Sequence, residues 1–271
     1  MGGPLPPRLV TVWCPEWPTV AAGIDPDRPA AVLHANRVVA RTPAAAQAGV
    51  PAGARRRAAQ GACPELLILD NDPDRDARQF EPVVRSVAEM APRIEVVEPG
   101  WLCLAARGPS RYFGGDQAMA ERLAGLVRET TGAAVGVGVA DGRSASAIAA
   151  RRAARHPSGV LVVAPGGSTG FVDQLSVAWL RELGEITPER VDLFGRLGLR
   201  LLGDLAVLTP SDVLGRFGHR GLHAHRLASG ADVRPPSTTD PAPERRLDHV
   251  PDDPVAQTAA VVFVAKQLAD E

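Results

Sequence analysis

Few side chains in this sequence are spaced for catalysis or for metal binding. The most suggestive group is formed by His219, His223 and His225, since imidazole is a common metal ligand. No cysteine or acid stands beside them at the ligand spacing of a zinc site. A basic helix end, which could meet a DNA phosphate, explains these histidines better than a metal site does.

A glycine-rich segment, GVGVADG, follows an apolar run and opens a helical pattern. Its spacing is G-x-G-x-x-x-G, whereas a dinucleotide-binding turn has G-x-G-x-x-G. The next apolar run, VLVVAPGG, also ends without the acid that binds a ribose. We therefore interpret the segment as a tight strand-to-helix turn.

Arginine supplies nearly all of the positive charge. Arg55, Arg56 and Arg57 form one basic cluster, which is typical either of a solvated face or of a contact with the DNA backbone. The single lysine is Lys266, so no earlier segment can form a Walker loop or carry a Schiff-base lysine.

The composition is that of a soluble globular protein. The 271 residues are 45% hydrophobic and 23% charged, which suits about two domains, and the net charge of -1 gives no overall basic field. Cys14, Cys63 and Cys103 stand far apart without a CxxC, so we predict neither a disulfide scaffold nor a zinc knuckle.

The sequence shows neither a secretion signal nor a membrane span. The start, MGGPLPPRLV, lacks the signal pattern, and no window approaches 18 uninterrupted apolar residues. We predict a cytoplasmic protein that makes no contact with membranes and uses no cofactor.

Apolar periodicity and turn residues predict an alternating series of strands and helices. The order is a strand, an insertion, a helix, two strands, a helix, a strand and a helix, which is an α+β fold built on a split βαββαβ unit. The predicted strands cover 8–13, two segments within 30–40, 93–98, 101–106, 133–140 and 160–163; the predicted helices cover two short segments within 43–61, one ending near Pro92, 115–131 and 143–155.

Several collinear segments resemble the Y-family translesion DNA polymerases of the UmuC/DinB-like superfamily. VVARTPAAAQAGVPAG is similar to the V-A-x-x-x-Y-E-A-R-x-x-G-V-x-x-G motif of the fingers, and CPELLILDND to C-P-x-L-x-x-L-x-x-D. VGVGVADGRSASAIAARRA resembles the palm motif G-I-A-x-N-K-x-x-A-K-x-A-S, and LGLRLLGDLAVL the thumb motif L-G-I-x-T-I-G-D-L-A-x-L. Together they extend over essentially the whole chain.

The resemblance implies a domain order. It predicts a palm at 1–14 and 74–165, a fingers insertion at 15–73, a helix-hairpin-helix thumb at 166–234, a linker at 235–243 and the truncated start of a little-finger domain at 244–271. The Pro-rich run PPSTTDPAPE marks the linker.

Y-family polymerases hold two Mg²⁺ ions through D-x-D on the first strand and S-x-D-E at the turn between the central strands. Hard cations of this size need carboxylate oxygens. The resemblance aligns Trp13 and Pro15 with the first pair of acids, and Pro99 and Gly100 with the second. None of these side chains can bind Mg²⁺, so we predict no metal site.

The family contacts to the incoming triphosphate are also replaced. Its fingers Tyr and Arg align with Pro43 and Ala46, and its palm Lys with Ala147. Three acids lie near the replaced positions, Glu16, Glu95 and Glu98. Because one step along a strand moves a side chain to the opposite face, we interpret them as solvated strand-end charges.

The thumb segment 184–205 matches a helix-hairpin-helix, in which hairpin amides bind phosphate. Its first hairpin, GEITPE, has lost a glycine and gained acids, whereas the second keeps Gly198 and Gly203. With the cluster Arg55–Arg57, these glycines are the predicted DNA contacts. One alternative is a DNA-binding module whose palm is only structural.

Taken together, the replacements resemble the ImuB-like, catalytically inactive Y-family paralogues. That resemblance implies a protein that is not an enzyme, an adaptor induced in the SOS response to DNA damage. Its partners would be the sliding clamp, an error-prone C-family DNA polymerase and a RecA-like accessory protein, contacted through regions beyond this chain. The other alternative is an active translesion polymerase with relocated carboxylates.

Overall fold

The computed structural model describes residues 6–184, 186–230 and 236–237. The predicted little-finger start at 244–271 and most of the predicted linker lie outside these residues. All described residues fall in one of the chain's two units, Met1–Thr238. The strands of this part are β1 Arg8–Trp13, β2 Ala30–His34, β3 Arg37–Arg41, β4 Leu67–Asp70, β5 Ile94–Glu98, β6 Trp101–Ala105, β7 Gly136–Asp141 and β8 Val160–Val162.

Most of the helices are short. Their bounds are α1 Trp17–Ala21, α2 Pro43–Gln47, α3 Arg56–Ala62, α4 Pro73–Met90, α5 Arg107–Phe113, α6 Asp116–Thr131, α7 Arg143–Ala153, α8 Ser168–Asp173, α9 Trp179–Glu182, α10 Pro188–Arg196, α11 Leu202–Ala206 and α12 Pro210–Ala228. No helix of the described part is long and apolar enough to cross a membrane.

The palm is a five-stranded sheet in the order β5-β6-β1-β7-β8. The first strand, RLVTVW, therefore lies at the centre, antiparallel to β6 on one side and to β7 on the other. β8 joins β7 in parallel. A strand in this position is covered on both faces, which explains its almost uninterrupted apolar sequence.

Each face of β1 packs against its own layer of helices. Val10 and Val12 enter a core with Phe80 of α4 and Leu123 of α6. On the other face the Thr11 hydroxyl lies 2.9 Å from the Ser146 hydroxyl of α7, and neither residue is exposed to solvent. Successive side chains of β1 thus point to opposite faces of the sheet, each of which is covered by its own buried layer.

Glycines on β7 let α7 approach the sheet closely. A Cβ atom at Gly138 would lie 2.2 Å from the Ala150 amide nitrogen, and one at Gly136 would lie 2.0 Å from the Ala150 carbonyl oxygen. These separations are far below van der Waals contact with backbone that cannot turn aside. Gly136 and Gly138 therefore serve helix–sheet packing, and Gly142, with φ 88°, makes the strand-to-helix turn that we predicted.

The fingers form a smaller sheet, in the order β3-β2-β4, with their own apolar cluster. The β2–β3 hairpin turns at Ala35 and Asn36, which both have positive φ, 47° and 64°. Two such residues are typical of the tight turn whose twist matches that of the strands. The insertion after the first strand is therefore confirmed.

The thumb is entirely helical and shares a core with the palm. One continuous cluster runs from Ala147 and Ile148 on α7 to Leu180 and Phe194 in the thumb. The helix α12 contains a non-helical residue, Gly218, with φ 66° and ψ -167°, which divides it into two segments. The fold class predicted from the sequence, an α+β palm with inserted fingers and a helical thumb, is thus what the structure shows.

Candidate functional site

The positions aligned with the family's metal-binding acids lie at the same end of the palm sheet, where β1 ends and β6 begins. Trp13 pairs with Trp101, and the Cys14 amide donates to the Gly100 carbonyl at 2.8 Å. The replaced positions on the first strand and at the β5–β6 turn are therefore neighbours, as the resemblance implied.

Gly100 is required at this turn for two reasons. Its φ is +92°, a conformation that side chains rarely adopt. A Cβ atom there would also lie 2.5 Å from the Cβ of Trp17. The turn is thus packed directly against the start of α1, which leaves no space for an acid at position 100.

Two indoles and a guanidinium fill this end of the palm. The Arg151 Cζ atom lies 4.1 Å from the ring centroid of Trp13 and 4.4 Å from that of Trp101. The two rings meet edge to face with centroids 6.1 Å apart. Only 9% of Arg151 is exposed, and this burial lowers its pKa to about 10, although the charges of Glu98 and Glu182 act in the opposite direction.

Arg151 is a residue that sequence reasoning missed. It stands four positions after Ala147, the residue aligned with the family's palm lysine, and therefore lies on the same face of α7. The helical spacing could have placed Arg151 near position 147, but it does not show that the guanidinium is buried between two indoles. Ala147 itself is buried in the core that the palm shares with the thumb.

The fingers positions predicted to have lost their triphosphate contacts are exposed. Pro43 is the first residue of α2, whose N-cap Thr42 accepts a hydrogen bond from the Ala45 amide. Ala46 lies on the same short helix and is also exposed. Neither side chain has a group that could bind a phosphate.

The acids near the palm turn have different surroundings. Glu16 is partly buried in the left-handed region, with φ 55°, and its carboxylate accepts from the Arg41 amide at 2.8 Å. Burial is the largest influence on Glu16 and raises its pKa. Glu98 is exposed at the end of β5, as expected of a strand-end charge.

Glu95 is held by several donors. Its two oxygens accept from the Arg143 guanidinium at 2.6 and 2.7 Å, and one of them also accepts from the Ser237 amide at 2.9 Å. Glu16 and Glu95 are therefore structural anchors rather than solvated charges. The first ties the palm to the fingers strand β3, and the second ties residue 237 to the palm edge.

These residues do not fit a pair of Mg²⁺ ions at the palm turn. The four replaced positions offer no side-chain oxygen, and Glu16 and Glu95 are engaged elsewhere. Within the described ranges no group of three His, Cys, Asp or Glu residues could hold a metal ion. Mg²⁺ prefers oxygen ligands, and neither an indole, a pyrrolidine ring nor a hydrogen atom supplies one.

The predicted DNA contacts lie on the fingers and in the thumb. Arg55, Arg56 and Arg57 are exposed at the start of α3. The backbone of Arg55 also forms an isolated antiparallel β-bridge with that of Arg37 in the fingers sheet. In the thumb, Gly198 has φ +83° and follows α10, while Gly203 packs against the Asp173 carbonyl at the start of α11. A role for these residues in binding stays a prediction.

The three histidines of α12 do not come together as a metal site. His225 is buried, and its Nε2 lies 2.9 Å from the Leu208 carbonyl oxygen. His219 is exposed and His223 is partly buried. His225 is thus a core residue that fixes the segment between α11 and α12.

Comparison with known proteins agrees with this geometry. Residues 19–151 match the model of the impB/mucB/samB family. Among solved structures, DinB from Sulfolobus solfataricus matches with a TM-score of 0.68 and 18% identity, over 84% of this chain and 69% of that one. A structure described as a Dbh ternary complex matches with the same TM-score and identity, over 68% of its own length. The chain therefore has the fold of the Y-family polymerases.

The curated relatives are more similar in sequence. DNA polymerase IV of Pseudomonas paraeruginosa is 30% identical over 191 residues, which are 69% of this chain and 52% of the relative. DNA polymerase IV of Methanoculleus marisnigri is 30% identical over 186 residues, which are 68% of this chain and 49% of the relative. The chain spans about half the length of these relatives.

These relatives overturn one prediction. We predicted a protein that is not an enzyme, yet the matched relatives are named as DNA polymerases, and that prediction is wrong. The prediction failed because it depended on the residue types at a few aligned positions, which alone do not determine whether a protein is active. A shift of one residue along a strand exchanges the side chains of its two faces.

Proposed function

We propose that this chain acts in translesion DNA synthesis as a Y-family protein that binds primer-template DNA. The observation that carries the proposal is the exposed cluster Arg55–Arg57, which stands on the fingers of a fold that DNA polymerases share. Neighbouring arginines bind phosphates without regard to base sequence, as a protein that acts at arbitrary lesions requires.

The thumb supports the same proposal. In its second hairpin Gly198 has φ +83° and open space around its Cβ position, which lets a DNA backbone approach the chain closely there. We also propose the domain boundaries given above, with the fingers at 15–73 and the thumb at 166–234. A cytoplasmic location is part of this proposal.

A salt titration of DNA binding tests the proposal. Replacing Arg55–Arg57 with alanine is expected to weaken binding to primer-template DNA. The slope of log K against log salt should become shallower by up to about 0.9 for each phosphate that an arginine no longer neutralises. The measurement is fluorescence anisotropy with a labelled duplex at several salt concentrations.

A matched control removes the same charge elsewhere. Arg78, Arg111 and Arg122 are exposed on α4, α5 and α6, and their triple alanine variant should keep the salt slope of the unaltered protein. Equal effects of the two triple variants would show that only overall charge matters and would contradict a fingers contact.

At a finer level, we propose an ImuB-like adaptor role in mutagenesis after DNA damage. The chain would support assembly of the sliding clamp, an error-prone C-family polymerase and a RecA-like accessory protein. The specific support is the palm turn, where Trp13, Trp101 and Arg151 pack together in place of the family's acids. This role does not depend on whether the palm also transfers nucleotides.

Template-directed DNA synthesis is the second candidate function, supported by the names of the relatives. If the chain polymerises DNA through relocated acids, the candidates near the β5–β6 turn are Glu98, which is exposed, and Glu16, whose carboxylate would have to release the Arg41 amide. Primer extension with Mg²⁺ or Mn²⁺ should then fall by about 100-fold or more in Glu98→Gln, as when a group that stabilises charge in the transition state is removed. Activity that is unchanged in both Glu16→Gln and Glu98→Gln would contradict relocation to these acids.

A further inference from the structure

The cluster of Trp13, Trp101 and Arg151 contains two buried hydrogen-bond donors that have no acceptor among the described residues. Arg151 is nine-tenths buried, and its Nη1 atom has no hydrogen-bond partner among the described residues. The indole Nε1 of Trp101, which is 8% exposed, also has none in this part of the chain. A buried donor left without an acceptor is costly, which makes such a pair a marker of a bound group.

The two donors belong to one cluster. The guanidinium carbon of Arg151 is 4.4 Å from the centroid of the Trp101 ring, and Trp13 covers the same guanidinium at 4.1 Å. With both indoles against the guanidinium, Arg151 is restricted to one orientation. The two unpartnered nitrogen atoms thus belong to residues that touch each other, and each atom is shielded from solvent.

The charge at this place is only partly balanced. Glu98 and Glu182 are the acids that act on Arg151, but Glu98 is exposed at a strand end. Burial lowers the pKa of Arg151 in spite of both acids, so their negative charge does not offset the cost of desolvating the cation. A bound anion would supply the missing balance.

We propose that Arg151 and Trp101 form a metal-independent site for an oxyanion of phosphate size. A phosphate presents oxygens in several directions, so it can accept from the guanidinium and the indole at once. Trp13, which covers the guanidinium, is only partly buried. Since the acids of a metal site are replaced here, the cation that meets the anion is the guanidinium itself.

Titration calorimetry in the presence of a chelator tests this site. Inorganic phosphate and pyrophosphate are the probes, and a 5′-phosphorylated oligonucleotide distinguishes a small anion from a nucleic-acid phosphate. We expect saturable binding that does not require Mg²⁺. Arg151→Met should weaken it about 10- to 100-fold, as expected when a charge-assisted hydrogen bond is removed.

A second variant removes one donor and keeps the packing. Trp101→Phe retains an aromatic ring against Arg151 but lacks the indole N–H, and binding should weaken about 2- to 10-fold, as for a neutral hydrogen bond. Arg122→Met removes an exposed arginine of α6 and should leave the affinity unchanged. Near-ultraviolet circular dichroism checks that each variant is folded.

Several results would overturn the site. They are the absence of saturable binding, binding that needs Mg²⁺, or equal weakening in Arg151→Met and Arg122→Met. If Arg151→Met fails to fold, then Trp101→Phe decides, since an unchanged affinity in that variant contradicts the proposed indole contact. DNA binding through Arg55–Arg57 is measured separately, so failure of either proposal leaves the other standing.

Discussion

Two buried thiols determine how the palm responds to alkaline pH. Burial raises the pKa of Cys14 to about 12 and that of Cys103 to about 11. Cys14 directly follows the first strand and packs in the core with Phe80, whereas Cys103 lies on β6 opposite Thr11, and both are buried. Neither thiolate forms near neutral pH, which makes both residues poor nucleophiles.

The raised pKa of Cys14 predicts a loss of stability above pH 9. The unfolded thiol ionises near its ordinary value of 9.0, whereas the folded thiol keeps its proton, so the free energy of unfolding falls as pH rises. By pH 10 each such thiol accounts for about 1.4 kcal/mol. Urea unfolding at pH 8, 9 and 10 should show a smaller decrease in Cys14→Ala than in the unaltered protein.

The pH range of this experiment is limited by Arg151. Its pKa is lowered to about 10, so the folded protein loses this proton at lower pH than the unfolded chain does. Above pH 10 this group therefore raises the free energy of unfolding, whereas the thiols lower it. Measurements should therefore stop at pH 10. Identical decreases in the two proteins would contradict the assignment to Cys14.

At the same scale, the sequence predicts which acids are replaced but not what replaces them. Trp13 and Gly100 could be identified because short motifs fix their positions relative to the family's acids. Arg151 could not, because its two indole contacts come from β1 and β6, far away in sequence. No local pattern shows that a charged residue of a helix will be buried between aromatic rings.

Among the elements, β7 and α7 are the most closely packed pair. Gly138 faces the backbone of α7, where a Cβ would lie 2.2 Å from the Ala150 amide nitrogen and 2.3 Å from the Ser146 carbonyl oxygen. Backbone on both sides leaves a side chain nowhere to move. The distance between α7 and β7 is therefore compatible only with glycine at position 138.

We expect Gly138→Ala to destabilise the protein by about 3 kcal/mol or more, at the upper end of overpacking substitutions. The measurement is the free energy of unfolding in urea. Gly125→Ala is the matched control, since Gly125 lies on α6 with open space around its Cβ position and should gain up to about 1 kcal/mol from better helix propensity. Equal effects of the two substitutions would contradict the close approach.

Helices with a clear apolar period were predicted well, and two of the short helices were missed. Helices α4, α6 and α7 occur close to their predicted positions, because each presents a long apolar face to the sheet. The helices α1 and α5 have only five and seven residues and contain prolines, so no period could reveal them. The glycine turn before α7 was recognised because its spacing excluded a cofactor site.

At the scale of the molecule, palm and thumb are joined by one core, while the fingers have a separate one. Phe194 of the thumb is fully buried and meets Phe217 edge to face at 5.1 Å, within the cluster that includes α7. Leu33 belongs to the fingers cluster instead. Palm and thumb should therefore gain and lose stability together.

Phe194→Ala should lower the protection of amides in α7 as well as in the thumb, by about 3–5 kcal/mol. Native-state hydrogen exchange measures both regions at once. Leu33→Ala, the control, should lower protection mainly in β2 and β3. A decrease confined to the thumb in Phe194→Ala would mean that the shared core does not couple the two domains.

The strand order of the palm required more than periodicity. Local patterns gave the succession of strands and helices, but they did not predict the placement of β1 between β6 and β7. The interleaved order arises from pairing between segments roughly 90 and 120 residues apart, which no short window of sequence contains.

The central place of the first strand also affects how the chain is made. RLVTVW leaves the ribosome before either of its partners, and β7 follows roughly 120 residues later. At about 5–20 residues per second, this strand waits roughly 6–24 s for its second neighbour. Until both β6 and β7 have emerged, at least one edge of this apolar strand is unpaired, so we expect synthesis of this protein to depend on chaperones that bind this segment as it emerges.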